Sequence, residues 1–238
     1  YSTRDIIDDS AGNDSLYSTA DYTLGANIEN LFLQGEATVG QGNTLNNRIV
    51  GNETLGSNLS GGGGTDTLEG GYGDDTFNLS SSGDMVIDKG GNNTVLSSVT
   101  VDLNRFANAT IQAVELAGTA AINATAQRTV ATNIAGNSGN NVLVGGALND
   151  TLDGGTGGAD SLSGGLGDDV YYVRNANTIV TEAVNAGTDT VNASVDYTLT
   201  ANVENLVLQG DAKVGVGNNL SNVIDGSTIN GGILHGGA

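Results

Sequence analysis

The feature that most constrains this chain is a nine-residue word repeated in tandem. Gly61-Gly62-Gly63-Gly64-Thr65-Asp66-Thr67-Leu68-Glu69 runs directly into Gly70-Gly71-Tyr72-Gly73-Asp74-Asp75-Thr76-Phe77-Asn78. Both read Gly-Gly-x-Gly-x-Asp-x-U-x, where U is a large apolar residue. The word returns from Gly145 to Asp153 and again from Gly164 to Tyr172. Its first half is a turn, because glycines accept positive φ without steric cost and leave carbonyls exposed inside the bend. Its last three residues are a strand whose central side chain (Leu68, Phe77, Leu152, Tyr171) points inward while its neighbours point out. So short a strand cannot stand alone, but stacked copies can. Two words make one coil of about 18 residues, so the turns of words i and i+2 lie one above the other. Apolar residues recur at 68, 77, 86 and 95. That period of nine excludes a flexible Gly-rich linker.

A larger duplication surrounds the words. The segment from Asp21 to Gly35 returns from Asp196 to Gly210, 175 residues on, and the match extends through Gly40/Gly215, Asn43/Asn218 and Ile49/Ile224. A weaker copy holds Val99 to Leu103 and Val114 to Gly118. The chain alternates: a spacer at 1–50, repeats at 51–96, a spacer at 97–135, repeats at 136–181, a spacer at 182–225, and the start of a further block at 226–238. The spacers also read as short strands. Asn30-Leu31-Phe32-Leu33 and Asn205-Leu206-Val207-Leu208 suit buried strands of a parallel sheet, with turn residues every nine to twelve positions. The expected fold is all-β, a right-handed parallel β-roll or β-helix solenoid running through repeats and spacers alike. Both ends fall inside repeat patterns and Tyr1 is not Met, so the chain reads as an excerpt of a longer protein.

Composition narrows the partners. Seven Lys and Arg against 27 Asp and Glu give a net charge of −20. Such a chain repels nucleic acid phosphates and anionic lipid and attracts cations. With 38 Gly and this self-repulsion it collapses poorly unaided, and a bound metal supplies folding energy. There is no Cys, so neither disulfides nor thiol chemistry contribute. No apolar run approaches the roughly 18 residues of a membrane helix, and no signal peptide opens at Tyr1.

The word resembles the nonapeptide of the RTX (repeats-in-toxin) family. The resemblance implies a β-roll with Ca2+ in its Gly-Asp turns, several ions in all. Calcium takes 6–8 hard oxygen ligands, and two stacked turns offer about that number. By the family pattern, word i gives the carbonyls of its second and fourth residues and the Asp at its sixth. Word i+2 gives the carbonyls of its first and third residues and its own Asp. Carried over, this implies one site at Gly146, Leu148, Asp150, Gly164, Leu166 and Asp169, the best match. A second uses Gly62, Gly64, Asp66, Leu79, Ser81 and Asp84. A third uses Gly71, Gly73, Asp75, Asp88, Gly90 and Asn93. A fourth uses Asn137, Gly139, Asn141, Gly154, Thr156 and Asp160. Asn93 and Asn141 replace Asp and carry less charge. The unit from Gly154 to Ser163 holds one extra residue.

Other polar residues read more plainly. In the pairs Asp74-Asp75 and Asp168-Asp169 the resemblance implies that the second Asp binds calcium and the first lies near solvent, so a catalytic carboxylate pair is not expected. His235, the sole His, reads as a surface residue. Glu29 and Glu204 hold equivalent spacer positions and are expected to accept backbone N–H groups. Asn27, Asn30, Asn202 and Asn205 are expected to stack as hydrogen-bonded ladders. No nucleophile–base pair, His cluster or phosphate loop is present, so the expected function is a non-enzymatic, calcium-stabilised extracellular module. The resemblance implies type I secretion and folding outside the cell. A self-assembling surface layer, fibre or adhesin, with further copies of the chain as partners, leads the alternatives. A C-terminal secretion and folding module of an RTX protease, lipase or cytolysin follows. A glycan-binding adhesin comes third, since aromatics for sugar stacking are few. Membrane insertion and nucleic acid are not expected.

Overall fold

The computed structural model of the chain describes residues 12–229 and 231–237. The start of the first spacer (1–11) and residues 230 and 238 lie outside them. The chain divides into two compact units, Tyr1–Thr100 with Asn104–Ala113 and Val101–Leu103 with Val114–Ala238. Both are parallel β-solenoids built from strands of two to six residues. The 3-10 turn Leu103–Arg105 is the only helical element among the described residues, and none is a helix long and apolar enough to cross a membrane.

In the first unit, successive strands alternate between two sheets, so each coil adds one strand to each. One sheet runs Ser15–Ser18, Asn30–Leu33, Arg48–Val50, Thr67–Glu69, Met85–Ile87. In the other, Tyr22–Thr23, Val39–Gln41, Asn58–Ser60, Thr76–Leu79 and Asn93–Ser97 follow one another. Every pairing is parallel and in register, which stacks identical positions of successive words. Leu16, Leu31, Ile49, Leu68 and Val86 form one inward row. Leu59, Phe77 and Val95 form the facing row, and each of these eight side chains is at most 3% exposed. Burying each large apolar side chain contributes roughly 1.5–3 kcal/mol. The rows therefore supply the main apolar stabilisation.

The second unit repeats the scheme. Val101, Ala124, Leu143, Leu162 and Val180 stack in one row. Ile134, Leu152, Tyr171, Val191 and Leu206 stack in another. The extra residue after Gly154 is taken up in the turn, where Gly155 and Gly158 adopt φ of 89° and 71°. Register resumes at once, with Leu143 opposite Leu162.

Within each unit the spacer residues form coils of that unit's solenoid. In each duplicated segment one Asp caps the next strand. Asp21 Oδ1 accepts the N–H of Thr38 and Val39 at 2.9 and 2.8 Å, and Asp196 Oδ1 those of Lys213 and Val214 at 2.6 and 2.8 Å. Glu29 and Glu204 accept the N–H of Asp14 and Asp189, both at 2.8 Å, as the sequence predicts. Of the Asn expected to form ladders, Asn30 donates to Asn13 Oδ1 at 2.7 Å, Asn205 to Thr190 Oγ1 at 3.3 Å and Asn202 to Glu182 O at 2.9 Å, each across to the preceding coil. Asn27 and Asn202 also sit at φ 65°, a left-handed position that Asn tolerates. Asn47 bonds across coils in the same way, to the carbonyls of Ile28 and Glu29.

On the outer face Tyr17 stacks on Phe32 at 4.6 Å, and the Arg48 guanidinium lies 5.1 Å above Phe32 while pairing with Glu69. The Arg48 side chain is 45% exposed, so solvent screens the pair. Arg48→Ala is expected to cost under ~1 kcal/mol in urea denaturation. A larger loss would mean that the aromatic stack depends on the guanidinium.

Candidate metal centre

All four implied pairs of turns are brought together, and one contact recurs in each. The backbone N–H at the sixth position of one word donates to the side chain of the equivalent residue one coil later. Asp150 N–H donates to Asp169 Oδ1 at 2.7 Å, Asp66 to Asp84 Oδ1 at 3.0 Å, Asp75 to Asn93 Oδ1 at 2.8 Å and Asn141 to Asp160 Oδ1 at 2.9 Å. Asp66, Asp75, Asp84, Asp150, Asp160 and Asp169 are all buried, while Asp74 and Asp168 face solvent. His235 is exposed.

The glycines make room for these carboxylates. A methyl on Gly164 would overlap the Asp169 carboxylate, and Gly165 and Gly167 both hold φ of 110°. The word from Gly164 therefore needs its three glycines for one close approach and two left-handed positions.

Which oxygens stay free differs between the pairs. At the Asn141/Asp160 pair the network is closed. Asp160 faces Thr178 with both the backbone N–H and Oδ2, at 3.4 and 3.3 Å, and Asn141 Oδ1 accepts the Asn137 N–H at 2.9 Å. Asp150 is also fully engaged, by the N–H of Thr132 at 2.7 Å and of Gly146 at 2.5 Å. By contrast, Asp66 Oδ2 is buried without a hydrogen-bond partner, as is Asp88 Oδ1. The family pattern assigned Asp88 through its carbonyl, but its carboxylate is the group that lies beside Asp75 over Gly70. Asn93 Oδ1 is occupied by the Asp75 N–H, and its amide donates to Asp88 Oδ2 at 2.7 Å. The carbonyls are partly committed as well: Gly146 accepts from Leu166 N–H at 3.2 Å and Gly71 from Lys89 N–H at 3.2 Å.

The largest convergence involves two residues the sequence reading did not select. Asp169, Glu182 and Asp189 are buried with carboxylate oxygens within 4.8 Å of one another. The loop carrying Glu182 and Asp189 was assigned to a spacer, yet it stacks on the Gly164 turn. Gly167 N–H donates to Ala186 O at 2.8 Å and Asp169 N–H to Asp189 Oδ1 at 2.9 Å. The signal was half a word: Gly187-Thr188-Asp189-Thr190-Val191 keeps the Gly-x-Asp-x-U end.

Burial penalises these charges. Asp169 is pushed up to about 7 by desolvation, with the charges of Asp150, Asp189 and Asp168 adding against the helpful Asp150 N–H. Glu182 rises to about 7 by desolvation, then Asp189 and Asp169. Asp66 and Asp88 rise to about 6, again chiefly by desolvation. Buried, mutually repelling carboxylates with bare oxygens fit a hard divalent cation.

A parallel β-solenoid that stacks such carboxylates in glycine turns defines a calcium-binding repeat protein. The RTX calcium-binding nonapeptide repeat matches the chain at residues 2–21, 58–86, 135–171 and 155–179. The chain carries the calcium-binding repeats of the RTX family. It is 37% identical over 86 residues to the endo-1,3-1,4-beta-glycanase ExsH of Rhizobium meliloti (strain 1021), a match covering 36% of this chain and 18% of that protein. It is 41% identical over 66 residues to the endo-1,3-1,4-beta-glycanase EglC of the same strain, covering 28% of this chain and 14% of EglC. The chain thus spans a small part of either relative. No solved structure matches it significantly.

Proposed function

We propose that this chain is a calcium-stabilised, non-catalytic extracellular module whose roll is completed by several Ca2+ ions in its turns. The carrying observation is the set of buried carboxylate oxygens without partners at Asp66, Asp88 and Asp169. Each lies where two coils stack. At Asp66/Asp84 and Asp75/Asp88 the ligand set would combine these carboxylates with turn carbonyls such as those of Gly64 and Gly73. The closed Asn141/Asp160 network is the weakest of the four. Type I export of the unfolded chain suits a sequence with no Cys to oxidise and no Pro to isomerise.

Within that reading, a building block of a self-assembling surface layer or fibre accounts for the 175-residue duplication. The alternative is a folding and secretion module attached to an enzyme. The glycanase names of ExsH and EglC favour it, since both matches span only a small part of those proteins. Calorimetry of the 238-residue chain with calcium, followed by electron microscopy of the loaded material, tests both levels. More than one bound ion and ordered arrays are expected for the surface-layer reading. Bound ions with dispersed monomers favour the enzyme-borne module, and no heat of binding would refute the calcium role.

A further inference from the structure

We propose that Glu182, which the nonapeptide does not contain, joins Asp169 and Asp189 in a three-carboxylate divalent-cation site above the Gly164 turn. It rests on the calcium reading above and extends it to a ligand outside the repeat word.

The argument turns on how each carboxylate is held. Asp169 Oδ1 is occupied by the Asp150 N–H and Asp189 Oδ1 by the Asp169 N–H. Glu182 Oε1 accepts the Tyr171 hydroxyl. The other oxygens (Asp169 Oδ2, Glu182 Oε2 and Asp189 Oδ2) are buried and have no hydrogen-bond partner. The three residues are 1%, 8% and 0% exposed. One oxygen of each carboxylate is used to orient it and the other is left bare.

Tyr171 holds Glu182 in place, and the Gly164 turn differs from two neighbouring turns. In the turns of Asp75 and Asp150, the second carboxylate oxygen accepts the N–H of the word's second glycine, Gly71 at 2.9 Å and Gly146 at 2.5 Å. At the Gly164 turn Asp169 Oδ2 accepts no such N–H, and the phenol oxygen of Tyr171 takes the N–H of the word's first glycine, Gly164, at 2.7 Å. The same hydroxyl then donates to Glu182. Tyr171 thus ties Glu182 to the Gly164 turn, while Asp169 Oδ2 is left without a hydrogen-bond partner. Tyr171 is a positioning residue, and the three bare oxygens are the ligands.

Three anionic ligands exceed the charge of two Asp per repeat site. A buried triple negative charge needs a cation for compensation, and hard oxygens select a calcium-like ion. Backbone carbonyls and water would complete the shell.

The test uses the full chain. Glu182→Gln keeps an amide oxygen for Tyr171 but removes one charge. It should bind one ion fewer by calcium calorimetry, while its melting temperature in EDTA equals or exceeds that of the parent. Tyr171→Phe supplies an independent readout. With terbium as probe, it should reduce tyrosine-sensitised emission at least twofold, because the donor ring adjoins the ion. An unchanged ion count in Glu182→Gln overturns the site, and so does undiminished terbium emission in Tyr171→Phe. If the parent chain itself binds no calcium, the broader reading fails instead, which separates the two.

Discussion

Stripped of calcium with EDTA at pH 7.5, the chain is expected to lose most of its β circular dichroism and to melt at a far lower temperature, and millimolar calcium is expected to restore both. Each site held a hundredfold above its Kd adds about 2.7 kcal/mol to the folded state, so a few sites match the whole stability of an ordinary domain. The pH dependence gives the sharper form of this result. Asp66 and Asp88 stand at about 6, and Asp169 and Glu182 at about 7. All four are raised above their ordinary values of 3.8 and 4.5. A raised carboxyl stabilises the folded state while protonated, below about pH 4, and that contribution is lost as pH climbs through 6 to 7. Metal-free chain therefore melts at a lower temperature at pH 7.5 than at pH 5. Calcium requires the deprotonated form, so the loaded chain shows the opposite trend. Melting curves in EDTA and in calcium at both pH values check this. A metal-free chain that melts higher at pH 7.5 would sink it.

Phe77→Ala is expected to cost about 3–5 kcal/mol with calcium bound. Phe77 is fully buried and stacks between Leu59 and Val95, 18 residues away on either side. Removing its ring opens a cavity shared by three coils, and in-register strands cannot slide to fill it. Tyr72, five residues earlier and 63% exposed, provides the control, since Tyr72→Ala should change stability by under ~0.5 kcal/mol. Urea denaturation of both variants in saturating calcium decides the matter. Equal midpoints would mean that the ions, not the apolar rows, set the stability of the loaded roll.

The period of nine made the inward rows legible, because Leu68, Phe77, Val86 and Val95 obey it without exception. It also placed Asp66 over Asp84 and Asp150 over Asp169. What it did not disclose is which oxygens remain unpaired. That depends on whether the carboxylate caps the N–H of the word's second glycine, as at Gly71 and Gly146, and Glu182 is held by a residue of the Gly164 word, Tyr171. The same residue satisfies the word as an inward U position, so nothing in the pattern distinguishes it from Leu152. Asp189 was hidden for another reason. Its coil is longer, at 20 residues between hydrogen-bonded Asp169 and Asp189, and only the end of its word survives. The left-handed backbone of Asn27 and Asn202 was also hidden, because Asn serves both coil-to-coil bonds and left-handed turns, and Asn202 does both.

The contact shared by the four turn pairs has a direction. The N–H always belongs to the earlier coil and the acceptor to the later one, from Asp66 to Asp84 and from Asp150 through Asp169 to Asp189. A coil without its successor keeps a buried donor that nothing satisfies. A coil without its predecessor merely has a carboxylate with one donor fewer, which water or a metal can serve. At this contact truncation is therefore not symmetric: shortening from the carboxyl side uncaps the sixth-position N–H of the last coil retained, whereas shortening from the amino side leaves the remaining sixth-position N–H groups supplied. In its turns the roll works as a ratchet, each winding secured by the one that comes after it.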